Sequence, residues 1–136
     1  MDFEYGSTPG NPPEIRCMVA RELFSGRIVR LWEDQLRTLS KPPFSIGSQS
    51  LFVAYLASAE LGCFKVLGWL PPERILDLYV EFKRLTSGIK VPAGRGLLGA
   101  LAYYGIDSIE VAEKEGMRQL ALRGEHYTGQ EKGDLL

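Results

Sequence analysis

This sequence has little histidine, little cysteine and no excess of positive charge. Its 136 residues include one histidine and two cysteines, and 16 Lys and Arg stand against 17 Asp and Glu. A single histidine excludes a histidine metal cluster, and the absence of CxxC or Cys/His spacing argues against a zinc site. Without a basic excess, contact with nucleic acid must be local or mediated by metal ions.

The sequence also lacks a signal peptide pattern and an uninterrupted apolar segment that could span a membrane. The N-terminal segment has no basic stretch followed by an apolar one. Residues 50–70 are strongly apolar, but Glu60 and Lys65 fall near their middle, so a buried strand and helix explain them better than a bilayer span. Cys17 and Cys63 lie in apolar neighbourhoods, which predicts core positions and a reduced, cytoplasmic location.

The composition is that of one globular domain, with 45% hydrophobic and 24% charged residues. Acidic and aromatic side chains alternate over residues 2–5, which is the period of a strand. Two β-favouring runs, residues 16–24 and 27–32, are joined by a short Ser25-Gly26 turn. Together these segments predict a three-stranded antiparallel meander.

Strands and helices alternate after the meander. Residues 51–55 predict a buried strand that leads into a helix ending near Gly68. The Pro71-Pro72-Glu73 segment predicts the start of a helix that continues to Gly88. Further helices are expected at residues 33–39, 97–104 and 109–122. The order indicates an α/β layered architecture.

Three acidic residues are the candidate catalytic and metal-binding groups. Asp2 and Glu4 are two residues apart, so on a strand both carboxylates project from one face. Mg²⁺ and Mn²⁺ prefer such oxygen ligands. Glu60 follows a buried strand within an apolar stretch, which is a costly place for an unpartnered ion. The alternatives are a solvated pair for Asp2 and Glu4, and a surface position stabilised by the helix dipole for Glu60.

Other patterns are weaker. Residues 94–99 match the GxGxxG dinucleotide pattern, but Pro92 and the missing βαβ context favour a simple helix entry. His126 is interpreted as a surface histidine in a loop rather than a general base. Tyr127 and Glu131 have a Y-x-x-x-acid spacing, which Thr128-Gly129 weakens. A solvated mixed-charge helix face is preferred over a phosphate site for the basic residues Lys114, Arg118 and Arg123.

Several segments together resemble one family. The first strand, DFEY, resembles the D-x-E motif of the DEDD 3′–5′ exonucleases. Their second motif, a strand followed by an acid-bearing helix, is similar to LFVAYLASAELGCFKVLGW, and the helix after it is similar to LLGALAYYGI. With EKEGMRQLALRG further on, the ordered set resembles the exonuclease-like region of family A DNA polymerase I-type proteins over nearly all of the chain.

The resemblance implies an RNase H-like three-layer fold and hydrolysis of DNA 3′ ends by two metal ions, Mg²⁺ or Mn²⁺. Asp2, Glu4 and Glu60 would be the metal ligands, although the family usually has Asp where Glu60 stands. The implied partners are a DNA 3′ end and a polymerase domain in the same or a companion chain, with no membrane.

The ends of the sequence predict a partial exonuclease-like domain at residues 1–136, without a polymerase domain. Only Met1 precedes the first acid, and the family's third motif, a tyrosine or histidine followed by Asp on a helix, would come after Glu131. Because that motif is missing, the resemblance implies that this chain alone is inactive as an exonuclease. A non-catalytic module that binds DNA or braces a polymerase is the alternative function.

Overall fold

The computed structural model describes residues 1–8, 10–106, 119–120, 123 and 127–135. It is a mixed α/β fold with a three-stranded antiparallel sheet and a two-stranded parallel sheet, which confirms the expected class. Within these ranges, no helix is long and apolar enough to cross a bilayer. The predicted helix at residues 109–122 and the interpretation of His126 fall mostly or wholly outside the described residues.

The antiparallel sheet is formed by β1 (Asp2–Gly6), β2 (Glu14–Arg21) and β3 (Ile28–Trp32), in that order. The helix α1 (Glu33–Thr38) follows directly. Cross-strand register sets the two faces of the sheet, because residues directly opposite each other project to the same side. One row consists of Phe3, Met18 and Leu31, which contact the hydrophobic core.

The other face of the sheet, here called the outer face, has a different composition. One of its rows contains Asp2, Val19 and Arg30, and the next contains Glu4, Cys17 and Trp32. Leu120 and Tyr127 pack over Cys17 and Trp32, so part of this face is covered.

The parallel sheet pairs β4 (Phe52–Ala54) with β5 (Ile75–Asp77), and α2 (Ala57–Val66) connects them. The amino group of Met1 donates to the Val53 carbonyl oxygen at 3.2 Å, which places β4 beside the free edge of β1. α2 covers the core side of β1: the Phe3 ring packs edge-on against Phe64, with ring centroids 6.2 Å apart.

The helix predicted to begin at residues 71–73 is wrong at its start. Residues 75–77 form β5, and the helix α3 (Leu78–Leu85) begins only after Asp77. The helical spacing of Leu78, Tyr79 and Phe82 does mark a helix, but Ile75, which fits the same spacing, is paired with Phe52 in the parallel sheet.

The predicted two-residue turn between β2 and β3 is also wrong. β2 ends at Arg21, and the connection spans residues 22–27, closed by backbone hydrogen bonds between Glu22 and Arg27 and between Gly26 and Glu22. Phe24, expected in the strand, therefore lies at the tip of this loop.

The remaining described helices are α4 (Leu97–Tyr103) and α5 (Gly129–Leu135). Residues 86–93, directly before the GxGxxG segment, form no strand, and α4 begins within the segment, which bears out its interpretation as a helix entry. Instead, the Arg95 guanidinium donates to the Thr86 and Ile89 carbonyl oxygens at 2.9 Å and so closes the carboxyl end of α3. Gly99 allows α4 to approach this loop closely.

Substitution of Gly99 by Ala is predicted to lower the free energy of unfolding by about 2–3 kcal/mol, measured by urea denaturation. The added Cβ would lie 2.1 Å from the Gly94 carbonyl oxygen and 2.6 Å from that of Ala93, so backbone must move. Gly62→Ala is the matched control: it is a helical glycine with no neighbouring atom within 4 Å. We expect the control to be neutral or stabilising, and equal effects of the two substitutions would contradict the prediction.

Candidate functional site

The edge of β1 brings two of the three predicted acids together. Glu60, one turn into α2, is 3% exposed, and its Oε2 accepts a hydrogen bond from the Phe3 backbone N–H at 3.0 Å. This N–H points away from β2, toward the side where β4 lies. Because β4 ends at Ala54, the carboxylate of Glu60 takes the place that a strand carbonyl would otherwise fill.

Asp2 lies next to this carboxylate. The two side chains are close enough for a hydrogen bond between them, although Asp2 is exposed at the surface and Glu60 is buried beneath it. Burial, and then the negative charge of Asp2, raise the pKa of Glu60 to about 8, while the Phe3 N–H opposes this shift. Burial and the neighbouring acid therefore both favour the protonated form of Glu60.

Glu4 occupies a different position from the other two acids. It lies on the outer face with Asp2, one row along the strand, and is half-buried opposite Cys17. Its charge raises the pKa of the Cys17 thiol, after burial, to about 12. Glu4 is not among the groups that shift the pKa of Glu60. In the described part of the chain, no three His, Cys, Asp or Glu side chains form a group that could hold a metal ion.

The two cysteines are core residues, as predicted. Cys17 is 1% exposed and Cys63 is fully buried. Burial raises the pKa of each thiol to about 12, so neither is a nucleophile at neutral pH.

Tyr127 and Glu131 do not form a catalytic pair with the acids of β1. The Glu131 carboxylate accepts from the Thr128 backbone N–H at 2.8 Å and from Arg123 at 2.9 Å, while the Thr128 hydroxyl accepts from the Glu131 N–H. This is a capping box at the start of α5, which the Thr-x-x-Glu spacing signals in the sequence. These hydrogen bonds lower the pKa of Glu131 to about 2. The Tyr127 ring packs on Trp32 instead.

Asp77, which was not predicted from the sequence, fixes the starts of two helices. Its Oδ1 accepts from the Tyr79 and Val80 N–H groups, capping α3, and its Oδ2 accepts from the Ala57 N–H at 2.9 Å, capping α2. The preceding Leu56 has φ 69°, a left-handed conformation that turns the chain sharply from β4 into α2. The signal was available, because Asp before an apolar helical run is a typical N-cap.

No protein-family model, curated protein or solved structure matches this chain significantly.

The buried acid predicts a pH-dependent stability. Since the pKa of Glu60 is raised from 4.5 to about 8 on folding, its contribution is fully present below pH 4.5 and is lost as the pH rises through 8. The free energy of unfolding should fall across this interval, by up to about 1.4 kcal/mol per pH unit. Urea titrations at several pH values measure this slope.

Glu60→Gln should flatten that slope, because the amide cannot ionise yet its oxygen can still accept from the Phe3 N–H. Glu73→Gln, the same change at an exposed site, is the control and should retain the slope. A slope that persists unchanged in Glu60→Gln would show that another group is responsible.

Loss of the double cap is expected to affect both helices that it joins. Asp77→Ala should lower the free energy of unfolding by about 2–3 kcal/mol, since three backbone N–H groups lose their acceptor. Asp34→Ala, at an exposed position in the first turn of α1, should cost much less. The prediction is wrong if thermal or urea unfolding ranks the two variants equally.

Proposed function

We propose that this chain is a 3′–5′ exonuclease-like domain of a DNA polymerase I-type protein, built to hydrolyse the terminal nucleotide of a DNA 3′ end with Mg²⁺ or Mn²⁺. The observation that carries the proposal is the contact between Asp2 on β1 and Glu60 on α2. Two carboxyl groups from distant parts of the sequence, one exposed and one buried, meet at one sheet edge. A hard divalent cation is the partner that relieves such a pair.

The strand arrangement supports the same assignment. The hydrogen bond from the Met1 amino group to the Val53 carbonyl oxygen brings the start of β1 close to β4, although β1-β2-β3 and β4-β5 are separate sheets. An antiparallel meander together with parallel strands and flanking helices is the arrangement expected of an RNase H-like fold. The acid pair lies at the edge of β1.

The residues present fit a cation site with two carboxylate ligands, Asp2 and Glu60. Asp2 and Glu60 would hold the cation, and Glu4 is the next acid on the same face as Asp2. Bound metal ions would activate the attacking water and stabilise the leaving 3′-oxygen. Because the Phe3 N–H holds one oxygen of Glu60, the side chain is oriented before any cation arrives. Glu131 is not the third-motif acid of this proposal, since the α5 cap and Arg123 engage it.

A second candidate function is a non-catalytic DNA-binding or scaffolding module of a polymerase. It is favoured by the hydrogen bonds of Glu60 to Phe3 and Asp2, which satisfy this buried acid without a cation. In this case the acid pair serves to join α2 to β1, and the partner would be the polymerase domain or DNA itself.

Mn²⁺ titration separates the two functions. Under the exonuclease proposal, the chain binds Mn²⁺, detected by loss of the free-ion electron paramagnetic resonance signal, and Asp2→Asn weakens binding at least about tenfold, by loss of one carboxylate ligand. Asp34→Asn makes the same chemical change at an exposed helix position and should bind as the unmodified chain does.

Nuclease activity gives the second readout. Any release of nucleotides from a 3′-labelled oligonucleotide should require Mg²⁺ or Mn²⁺ and should be abolished in Asp2→Asn. If the chain binds no Mn²⁺ and Asp2→Asn binds DNA as well as the unmodified chain, the exonuclease proposal is wrong and the scaffolding function is supported.

A further inference from the structure

We propose that the hairpin tip, the loop of residues 22–27 between β2 and β3, is a binding surface for single-stranded DNA beside the acid pair. The inference builds on the proposed function for the identity of the ligand, but it concerns a separate surface. It is carried by the exposed aromatic side chain of the tip, by its internal hydrogen bonds, by its cations and by its register with Asp2.

The tip presents apolar side chains to solvent. Phe24 is fully exposed and Leu23 is 75% exposed, and Ile28, which follows the tip, is 43% exposed. Single exposed apolar residues are common on protein surfaces, but three within six positions form a patch. An aromatic ring that is fully exposed is available for stacking.

Internal hydrogen bonds hold the tip in one shape. The Glu22 carboxylate accepts from the Phe24 N–H at 2.8 Å and from the Ser25 N–H at 2.6 Å, and the Ser25 hydroxyl accepts from the Arg27 N–H. Gly26 has φ 72°, which a residue with a side chain rarely adopts. Phe24 is therefore displayed by a preorganised loop, which lowers the entropy cost of binding a ligand.

Cations surround the apolar patch. Arg21 and Arg27 flank the tip and are both exposed. The acid between them, Glu22, is directed into the loop by its hydrogen bonds to the backbone. With Glu22 included, residues 21–27 carry a net charge of +1 in a chain whose net charge is −1.

Strand register connects the tip to the acid pair. Asp2, Val19 and Arg30 form one row of the outer face, and Arg21 and Ile28 form the row two residues closer to the tip. At the usual rise per residue, these rows are roughly 7 Å apart. A ligand bound along this face can therefore extend from Asp2 to the start of the hairpin tip at Arg21.

Single-stranded DNA is the ligand that this combination matches. Its unpaired bases offer flat faces for stacking on Phe24, and its phosphates suit the guanidinium groups of Arg21 and Arg27. In a duplex the base faces are already stacked on one another, so the aromatic side chain would have no partner. Alternation of an aromatic ring with arginines is typical of single-strand binding surfaces.

The test measures binding of a short fluorescent oligothymidylate by anisotropy in EDTA, where no cleavage can occur. Phe24→Ala should weaken binding about tenfold through loss of stacking, and Phe24→Trp should restore it. Arg21→Gln and Arg27→Gln should each reduce the slope of log affinity against log salt by about 0.7. The controls Leu70→Ala, at another exposed apolar residue, and Arg37→Gln, at an exposed arginine of α1, should bind like the unmodified chain.

Unchanged oligothymidylate binding in Phe24→Ala, Arg21→Gln and Arg27→Gln would overturn the inference and would leave the tip as a contact for a protein partner. An equal loss of affinity for a blunt duplex would overturn the preference for single strands. Failure of the nuclease function is distinguishable, because binding in EDTA does not need the acid pair. If Phe24→Ala weakens binding in a chain without nuclease activity, the tip remains a DNA surface and only the catalytic proposal fails.

Discussion

The hydrogen bond from the Phe3 N–H to the buried Glu60 carboxyl joins the antiparallel sheet to the helix that covers it. An unpaired N–H at this sheet edge would be left without a partner in a dry environment, at a cost of about 1–3 kcal/mol. The same residue also contacts α2 through its side chain, since the Phe3 ring packs against Phe64, which in turn packs edge-on against Trp69. Backbone and side chain of one residue thus fix the position of α2 on β1, and with it the position of Glu60 beside Asp2.

This arrangement depends on a sharp end to β4. If the strand continued past Ala54 in an extended conformation, its own backbone would be the natural partner for the edge of β1. The left-handed Leu56 interrupts it instead, at a cost of about 1–2 kcal/mol. Asp77 compensates by accepting from the Ala57 N–H at the start of α2. The Asp77 carboxylate, at the end of β5, thus stabilises the strained turn at Leu56. Because β4 ends there, the Glu60 carboxylate is the acceptor for the Phe3 N–H at the edge of β1.

Sequence patterns predicted the parts of this fold that depend on local chemistry. Alternation and a glycine turn identified the meander, and the apolar stretch that contains Glu60 identified the β4–α2 unit. β5 was missed because three residues are too few to show a strand period, and the helical spacing of the following residues extended over them. The bulge at Arg16 was also missed: Ile15 and Cys17 are two apart, yet Ile15 contacts the main core and Cys17 lies on the outer face.

The site was predictable only in part, for a related reason. The ordered likeness to exonucleases pointed to Asp2, Glu4 and Glu60 together, but which of them meet depends on the edge of β1 and on the length of the glutamate side chain. Glu60 reaches the Phe3 N–H at the sheet edge from α2, and this reach brings it to Asp2 but not to Glu4. The Glu131 cap, in contrast, is local and its spacing was visible in the sequence.

A nearly neutral chain can bind a polyanion only if its charges are sorted in space. On the outer face the sorting follows the rows of the sheet: Glu4 is in one row, Asp2 and Arg30 share the next, and Arg21 lies in the row toward the hairpin tip. Along these rows the charged side chains change from an acid, to an acid beside an arginine, to an arginine. Under the proposed function, the arginine end would attract phosphates while the acid end would repel them until a cation binds. Access of a DNA end to the acids would then depend on the same divalent ion that the proposed chemistry requires.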